Sequence, residues 1–107
     1  MNAENQEFKE IQSFENTLTA RISENQSRYE FLAASLLKND SVTWELKGNF
    51  ARLEIAQGRV AGSIKPSLDS NYTEPLTTAP LSLNVSEAIP EIIEMMAWLE
   101  SEIITNY

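Results

Sequence analysis

Carboxylates are the side chains with the greatest capacity for chemistry in this sequence, because it contains neither histidine nor cysteine. Sixteen Asp and Glu stand against eight Lys and Arg in 107 residues, and the net charge is −8. Without imidazole, no side chain has an unperturbed pKa near neutrality. Without thiolate as well, the usual zinc and iron–sulfur sites are excluded. Carboxylate catalysis stays open on residue types, but no catalytic or nucleotide-binding motif accompanies it. We therefore predict a protein that is not an enzyme and carries no cofactor or metal.

The C-terminal residues contain the candidate binding site. On a helical wheel, Glu87, Glu91, Glu94 and Glu102 lie together, with Trp98 in their midst. Tryptophan is over-represented among the residues that dominate the binding energy of protein interfaces. An acidic ridge around Trp98 therefore predicts a site for another protein with a basic surface. Two alternatives stay open, a solvated face with Trp98 packed on a neighbouring element and a homodimer contact through Trp98.

The opposite side of the same helix is apolar and predicts a core. Its members are Ile89, Ile92, Ile93, Met96, Leu99, Ile103 and Ile104. Glu100 falls inside this arc, where a lone carboxylate is costly unless it is paired or protonated. We expect the helix end to fray and to expose Glu100. The alternatives are pairing with Arg52, Arg59 or a partner chain, and a catalytic acid with a raised pKa.

Residues 4–38 contain neither Gly nor Pro and repeat apolar residues at helical spacing. The repeat comprises Phe8, Ile11, Leu18, Ile22, Tyr29, Leu32 and Leu36. It predicts one long helix, and two helices broken near Asn25 are the alternative. A helix longer than about 25 residues in so small a domain usually needs a second chain to cover it. We therefore predict a homodimer or larger homo-oligomer, in which Asn25 is a polar residue that sets the register.

Residues 41–65 alternate between apolar and polar side chains, as strands with one buried face do. Gly48-Asn49 and Gln57-Gly58 predict the turns of an antiparallel three-stranded meander. This segment has a net charge of +2, from Lys47, Arg52, Arg59 and Lys65 against Glu45 and Glu54, and these charges lie mostly on the outer face of the predicted sheet. A basic sheet face on a nucleic-acid-associated homodimer is therefore the alternative function.

Residues 66–80 hold three prolines and many small polar residues, which predicts a loop. Leu81, Leu83 and Val85 then alternate with polar residues as a short fourth strand. Ser86 is the predicted cap of the last helix, from Glu87 to about Thr105, with Pro90 in its first turn. Residues 66–107 carry seven acids and no base, which disfavours nucleic acid as a partner of that part of the chain.

Taken together, these patterns predict one α+β domain over residues 1–107. It has a long N-terminal helix, an antiparallel meander of three to four strands, and a C-terminal amphipathic helix packed on the sheet. The predicted segments are 1–40 helical, 41–65 meander, 66–80 loop and 81–107 strand and helix. The polar, acidic N-terminus and the lack of a ~20-residue apolar stretch or of cysteine favour the cytoplasm and no membrane contact. The predicted function is that of an acidic interaction protein, namely an adaptor, chaperone-like accessory factor or inhibitor.

Overall fold

A computed structural model describes residues 17–107, and within them three helices and a four-stranded antiparallel sheet form an α+β fold. The predicted α+β class, the antiparallel sheet and the packing of the C-terminal helix on it are confirmed. The elements are α1 (residues 17–24 described), α2 (Gln26–Asn39), β1 (Ser41–Leu46), β2 (Asn49–Ala56), β3 (Arg59–Lys65), β4 (Thr77–Pro80) and α3 (Val85–Asn106). Phe8, Ile11 and the predicted start of the first helix lie outside the described residues.

A turn at Asn25 separates α1 from α2, so one continuous N-terminal helix is not confirmed. Asn25 has φ −121° and ψ 19°, away from helical values. Its backbone N–H donates to the carbonyls of Arg21 (3.1 Å) and Ile22 (3.2 Å), and its side-chain Nδ2 donates to the Arg21 carbonyl at 2.9 Å. A short amide side chain that bonds to nearby backbone competes with the helical ladder. The alternative of a break near Asn25 therefore describes this part of the chain.

The four strands follow one another in sequence order, and tight turns join the first three. Lys47 and Gly48 have φ of 52° and 81°, and Gln57 and Gly58 have φ of 53° and 74°. Positive φ at both central positions is the geometry of type I′ turns, whose twist matches that of the flanking strands. The second turn is where the sequence predicts it. The first lies one residue earlier than predicted, because Asn49 already pairs with Leu46.

The fourth strand is Thr77–Pro80, so the predictions of a loop through residue 80 and of a strand at residues 81–85 are wrong. It pairs with β3, from Gly62 opposite Thr77 to Arg59 opposite Pro80. It is also an edge strand, where a proline is tolerated because a backbone N–H on the free side is not needed. Beyond it the chain leaves the sheet, and Leu83 is fully exposed.

The last helix begins earlier and ends later than predicted. The side chain of Asn84, and not Ser86, caps it by accepting a hydrogen bond from the backbone N–H of Ser86 at 3.0 Å. Because the helix starts at Val85, Pro90 lies inside it rather than in its first turn. The helix continues to Asn106, well past Glu100.

Both α2 and α3 pack on one face of the sheet, α2 over β1 and β2 and α3 over β2 and β3. Gly62 lets α3 come close to β3, because a Cβ there would lie 2.8 Å from Leu99 Cδ1 and 3.1 Å from Leu53 Cδ2. The core is formed by Tyr29, Ala33, Leu36, Val42, Trp44, Ala51, Leu53, Val60, Ile64, Ala88, Ile92, Ile93, Met95, Met96, Ala97, Leu99 and Ile103. No helix within residues 17–107 is long and apolar enough to cross a lipid bilayer.

Candidate functional site

An open groove of ≈ 810 Å³ lies between α1, β4 and α3. We call it the α3 groove. Its lining consists of Leu18, Thr19, Ile22, Thr77, Ala79, Pro80, Ser82, Glu91, Glu94, Met95 and Trp98. The two charged residues in this lining are both glutamates. The α3 groove therefore combines apolar walls with negative charge on one helix.

Three of the five predicted site residues meet in the α3 groove. Trp98 is half-buried and packs against the edge of the core, and Glu91 and Glu94 are exposed on the turns before it. Glu87 lies at the start of α3, where it accepts a hydrogen bond from Ser82 Oγ at 3.1 Å. Glu102 lies beyond Trp98 and accepts one from Asn106 Nδ2 at 2.8 Å. Glu87 and Glu102 thus extend the same face of α3 beyond the two ends of the groove without lining it.

Glu100 projects from another side of α3 and forms the most elaborate polar contact in the described chain. Its Oε1 accepts hydrogen bonds from Arg21 Nε (3.1 Å), Arg28 Nη2 (2.9 Å) and the Tyr29 hydroxyl. Its Oε2 accepts from Arg28 Nη1 and Trp44 Nε1, both at 2.9 Å. The Glu100 side chain is 0% exposed, whereas those of Arg21 and Arg28 keep 21% and 40% of their surface. Two arginines, one bound in bidentate fashion, thus neutralise a buried carboxylate.

The expectation that Glu100 is exposed by fraying is wrong. The helix stays intact around it. The alternative of an ion pair applies, but its partners are Arg21 and Arg28 rather than Arg52 or Arg59. Burial alone raises the pKa of Glu100, but hydrogen bonds from Arg28 and Tyr29 and the two arginine charges more than offset it, and the pKa lies below its ordinary value. Burial, with the hydrogen bond to Glu100, raises the pKa of Tyr29. The cluster therefore holds a deprotonated carboxylate beside a protonated phenol.

The outer face of the sheet carries a second polar cluster. The Arg52 guanidinium lies 4.1 Å from the centroid of the Tyr72 ring and its Nε lies 2.6 Å from Glu54 Oε1. Lys65 Nζ lies 5.6 Å from the Phe50 ring centroid and 5.7 Å from that of Tyr72. Residue 72, in the predicted loop, thus folds over the basic face and covers part of it.

Comparison with protein-family models, with curated proteins and with solved structures finds no match for this chain. Within residues 17–107, the acidic side chains form no group of three or more arranged to hold a metal ion.

Sequence reasoning missed the contribution of the N-terminal helices to both sites. Leu18 and Ile22 were assigned to a continuous apolar stripe, yet they also form the outer wall of the α3 groove. One signal pointed to the partners of Glu100. Arg21 and Arg28 are seven residues apart beside the apolar stripe, so a helical repeat places both on the same side.

Proposed function

We propose that this chain is a non-enzymatic protein-interaction module, an adaptor, chaperone-like accessory factor or inhibitor, that binds a basic partner protein in the α3 groove. The observation that carries the proposal is the position of Trp98. It lies in an open concave surface beside Met95 and Ile22, and the charges of that surface are Glu91 and Glu94. An aromatic anchor in a half-buried pocket with a charged rim is the usual arrangement of an interface hot spot.

The charge pattern supports a basic partner. The α3 groove contributes no positive side chain of its own, and the nearby Glu87 and Glu102 add two more negative charges along the helix. Such a surface attracts Lys- and Arg-bearing segments and repels phosphate-rich ones. We infer an amphipathic partner segment whose apolar side chain packs on Trp98 and whose cations face Glu91 and Glu94.

The state of Glu100 supports a function without catalysis. A general acid needs a raised pKa and access to substrate, whereas Glu100 is buried, deprotonated and hydrogen-bonded through both oxygens. Its perturbed pKa is accounted for by an ion-pair cluster that holds helices together.

The test compares Trp98→Ala with Phe31→Ala, which removes an aromatic ring 75% exposed on α2 outside the groove. The wild-type chain is used to capture its partner protein from cell extract at low ionic strength, and the partner is identified. The affinity of that partner for the wild type and for each variant is then measured by titration. Trp98→Ala is expected to weaken binding by at least ~2 kcal/mol, roughly 30-fold, and Phe31→Ala to leave it unchanged. Because Trp98 is only half-buried, its loss is expected to cost less stability than the ~2–5 kcal/mol of Leu99→Ala. Equal affinity of the wild type and Trp98→Ala would exclude the groove as the site.

The electrostatic part has its own control. Glu91→Gln with Glu94→Gln is expected to weaken binding more at low salt than at high salt, because screening already removes part of the attraction. Glu45→Gln with Asp69→Asn removes two exposed charges outside the groove and is the matched variant. A salt dependence that is the same for both would refute a role for the groove glutamates.

We also propose that the chain is cytoplasmic, and that it self-associates, as its apolar N-terminal repeat predicts. Sedimentation equilibrium at micromolar concentration is expected to give more than the 12.1 kDa of one chain. A mass of one chain at that concentration would remove this part of the proposal.

Binding of single-stranded nucleic acid by the outer sheet face is the second candidate. The observation in its favour is the grouping of Phe50 and Tyr72 with Arg52 and Lys65, since bases stack on aromatic rings beside cations. Anisotropy of a labelled oligonucleotide, titrated at several salt concentrations against wild type and Tyr72→Ala, distinguishes the candidates. Binding lost in Tyr72→Ala and retained in Trp98→Ala would favour nucleic acid.

A further inference from the structure

Residues 17–24 of α1 lie across α3, with an opening on each side. On one side is the α3 groove, to which Leu18, Thr19 and Ile22 contribute. On the other is a smaller cleft of ≈ 380 Å³, lined by Thr17, Ala20, Arg21, Glu24, Ser101, Ile104 and Thr105. The described part of α1 therefore lies against α3 with an open cleft on each of its two sides.

The connection to α2 at Asn25 is a natural pivot. The Asn25 backbone N–H is shared between the carbonyls of Arg21 and Ile22, and its side-chain Nδ2 donates to the Arg21 carbonyl. On the α2 side, its Oδ1 accepts from Arg28 Nη2 at 3.2 Å and its carbonyl accepts from the Tyr29 N–H at 2.9 Å, so Asn25 moves with α2. Its φ and ψ of −121° and 19° depart from the helix on either side. A few residues at an element boundary that absorb a change in φ and ψ are what hinges consist of.

Arg21 joins this segment to α3. Its Nη2 lies 3.0 Å and its Nε 3.1 Å from Glu100 Oε1. Arg28 and Tyr29 bind the same carboxylate, but they lie after Asn25 and so hold α2. One carboxylate thus fastens the two helices on either side of the turn through different residues.

We propose that residues 17–24 are a hinged arm that pivots at Asn25, and that the Arg21–Glu100 ion pair holds the arm as the movable wall of the α3 groove. Leu18 and Ile22 are half-buried and pack against the edge of the core, so this apolar contact and the ion pair hold the arm together. Loss of the pair leaves the apolar contact alone to hold the arm, so Leu18 and Ile22 detach more often and open the groove, while Arg28 keeps α2 in place. The biological meaning rests on the proposed function, because the arm would control access to the same binding surface.

The chain has no cysteine, so a single introduced thiol reports on the arm. Thr19 is exposed and lines the α3 groove with Trp98. A bimane attached to Thr19→Cys is quenched by contact with the Trp98 indole, and Trp98→Phe in the same background gives the unquenched level. Hydrogen exchange of residues 17–24 measures the opening without a label.

Arg21→Gln is expected to relieve the quenching and to raise exchange in residues 17–24 roughly tenfold, the effect of losing a charge-assisted hydrogen bond. Tyr29→Phe removes a different hydrogen bond to Glu100 from α2, leaves the side-chain bonds of Asn25 intact, and is the control expected to retain the quenching. Arg21→Lys keeps the charge and is expected to fall between Arg21→Gln and wild type, which keeps the test valid if Arg21→Gln folds poorly. Unchanged quenching and exchange in Arg21→Gln, or equal relief in Tyr29→Phe, would overturn the hinged arm.

The two proposals fail separately. If Trp98→Ala abolishes partner binding, while Arg21→Gln changes neither partner binding nor the quenching, the groove remains the binding site and the hinged arm is excluded. Relief of quenching in Arg21→Gln, with no binding that depends on Trp98, supports the arm and removes the interaction function.

Discussion

Glu100 is a buried charge whose hydrogen-bonding capacity is met by side chains alone. Five hydrogen bonds reach its two oxygens, and no buried side-chain polar atom in the described residues lacks a partner. A buried ion pair is not by itself stabilising, since desolvation offsets much of the attraction, but breaking one is costly. The value of the cluster is thus positional, because the carboxylate is satisfied only when α1, α2, β1 and α3 are correctly assembled.

Replacing Glu100 with Gln is expected to destabilise the fold by about 2–4 kcal/mol. The amide leaves two arginines without a counter-charge and supplies only one good acceptor for five donors. The cost stays below that of a fully buried pair because both arginines reach solvent. Urea denaturation measures it, with the exposed Glu94→Gln as a control expected to change stability by less than ~0.5 kcal/mol. Equal effects of the two substitutions would contradict a structural role for the cluster.

The contribution of Glu100 is also expected to depend on pH. Its pKa is lower in the folded chain than the ~4.3 of an unfolded one, so the unfolded state binds the proton more readily. Its contribution is therefore fully present above the unfolded pKa and is lost as the pH falls through the folded pKa. The stability difference between wild type and Glu100→Gln, from urea unfolding at each pH, is expected to be constant from about pH 6 to 8 and to shrink below about pH 4. A difference that persists undiminished in acid would show that charge is not the cause.

At the scale of elements, the two tight hairpins differ from the commonest sequence for their geometry. Lys47 and Gln57 occupy first turn positions with φ of 52° and 53°. Asn tolerates this conformation better than other residues with a Cβ, and Asn-Gly is the preferred type I′ pair. Lys47→Asn and Gln57→Asn are each expected to raise stability by about 0.5 kcal/mol. Thermal unfolding of each variant measures this change. Gly58→Ala, which places a Cβ at φ 74°, is expected to lower the stability instead.

Alternation of apolar residues was enough to predict β1, β2 and β3, because each buries one face against the helices. It failed at the fourth strand. Residues Thr77–Pro80 have no apolar alternation, and they become a strand through backbone pairing with β3. Residues 81–85 do alternate, yet Leu83 is exposed and Val85 starts α3. A strand that forms by pairing with the free edge of a neighbouring strand need not show a strand pattern in its own side chains.

The candidate site was likewise predicted from the sequence only in part. Trp98, Glu91 and Glu94 are close in sequence, so one helical wheel could place them together. The other walls of the groove come from α1 and from residues 77–82, and the partners of Glu100 come from residues 21–44. Only the folded chain brings these segments to α3. The contacts of Arg21 and Arg28 with Glu100 depend on the interruption of the helix at Asn25. The sequence pattern indicated that interruption only as an alternative to one continuous helix.

At the scale of the whole molecule, charge is separated between two surfaces. Glu87, Glu91 and Glu94 lie along the outside of α3, whereas Arg52 and Lys65 lie on the outer face of the sheet. The positive side chains there are partly engaged by Glu54 and Tyr72. The acidic helix is therefore the surface with the stronger unbalanced field, in keeping with a basic partner.

The meander also has a kinetic consequence. Strands joined by two-residue turns pair with their neighbours early, whereas Arg21 and Arg28 reach Glu100 across 79 and 72 residues of chain. Contacts formed after the rate-limiting step affect unfolding alone. In stopped-flow experiments, Glu100→Gln is expected to speed unfolding by roughly 30-fold to 1000-fold, the kinetic equivalent of its stability loss, and to leave refolding unchanged. Slower refolding of this variant would place the cluster in the folding nucleus instead. On this prediction, the ion pair sets the lifetime of the native chain and has no part in how quickly that state is reached.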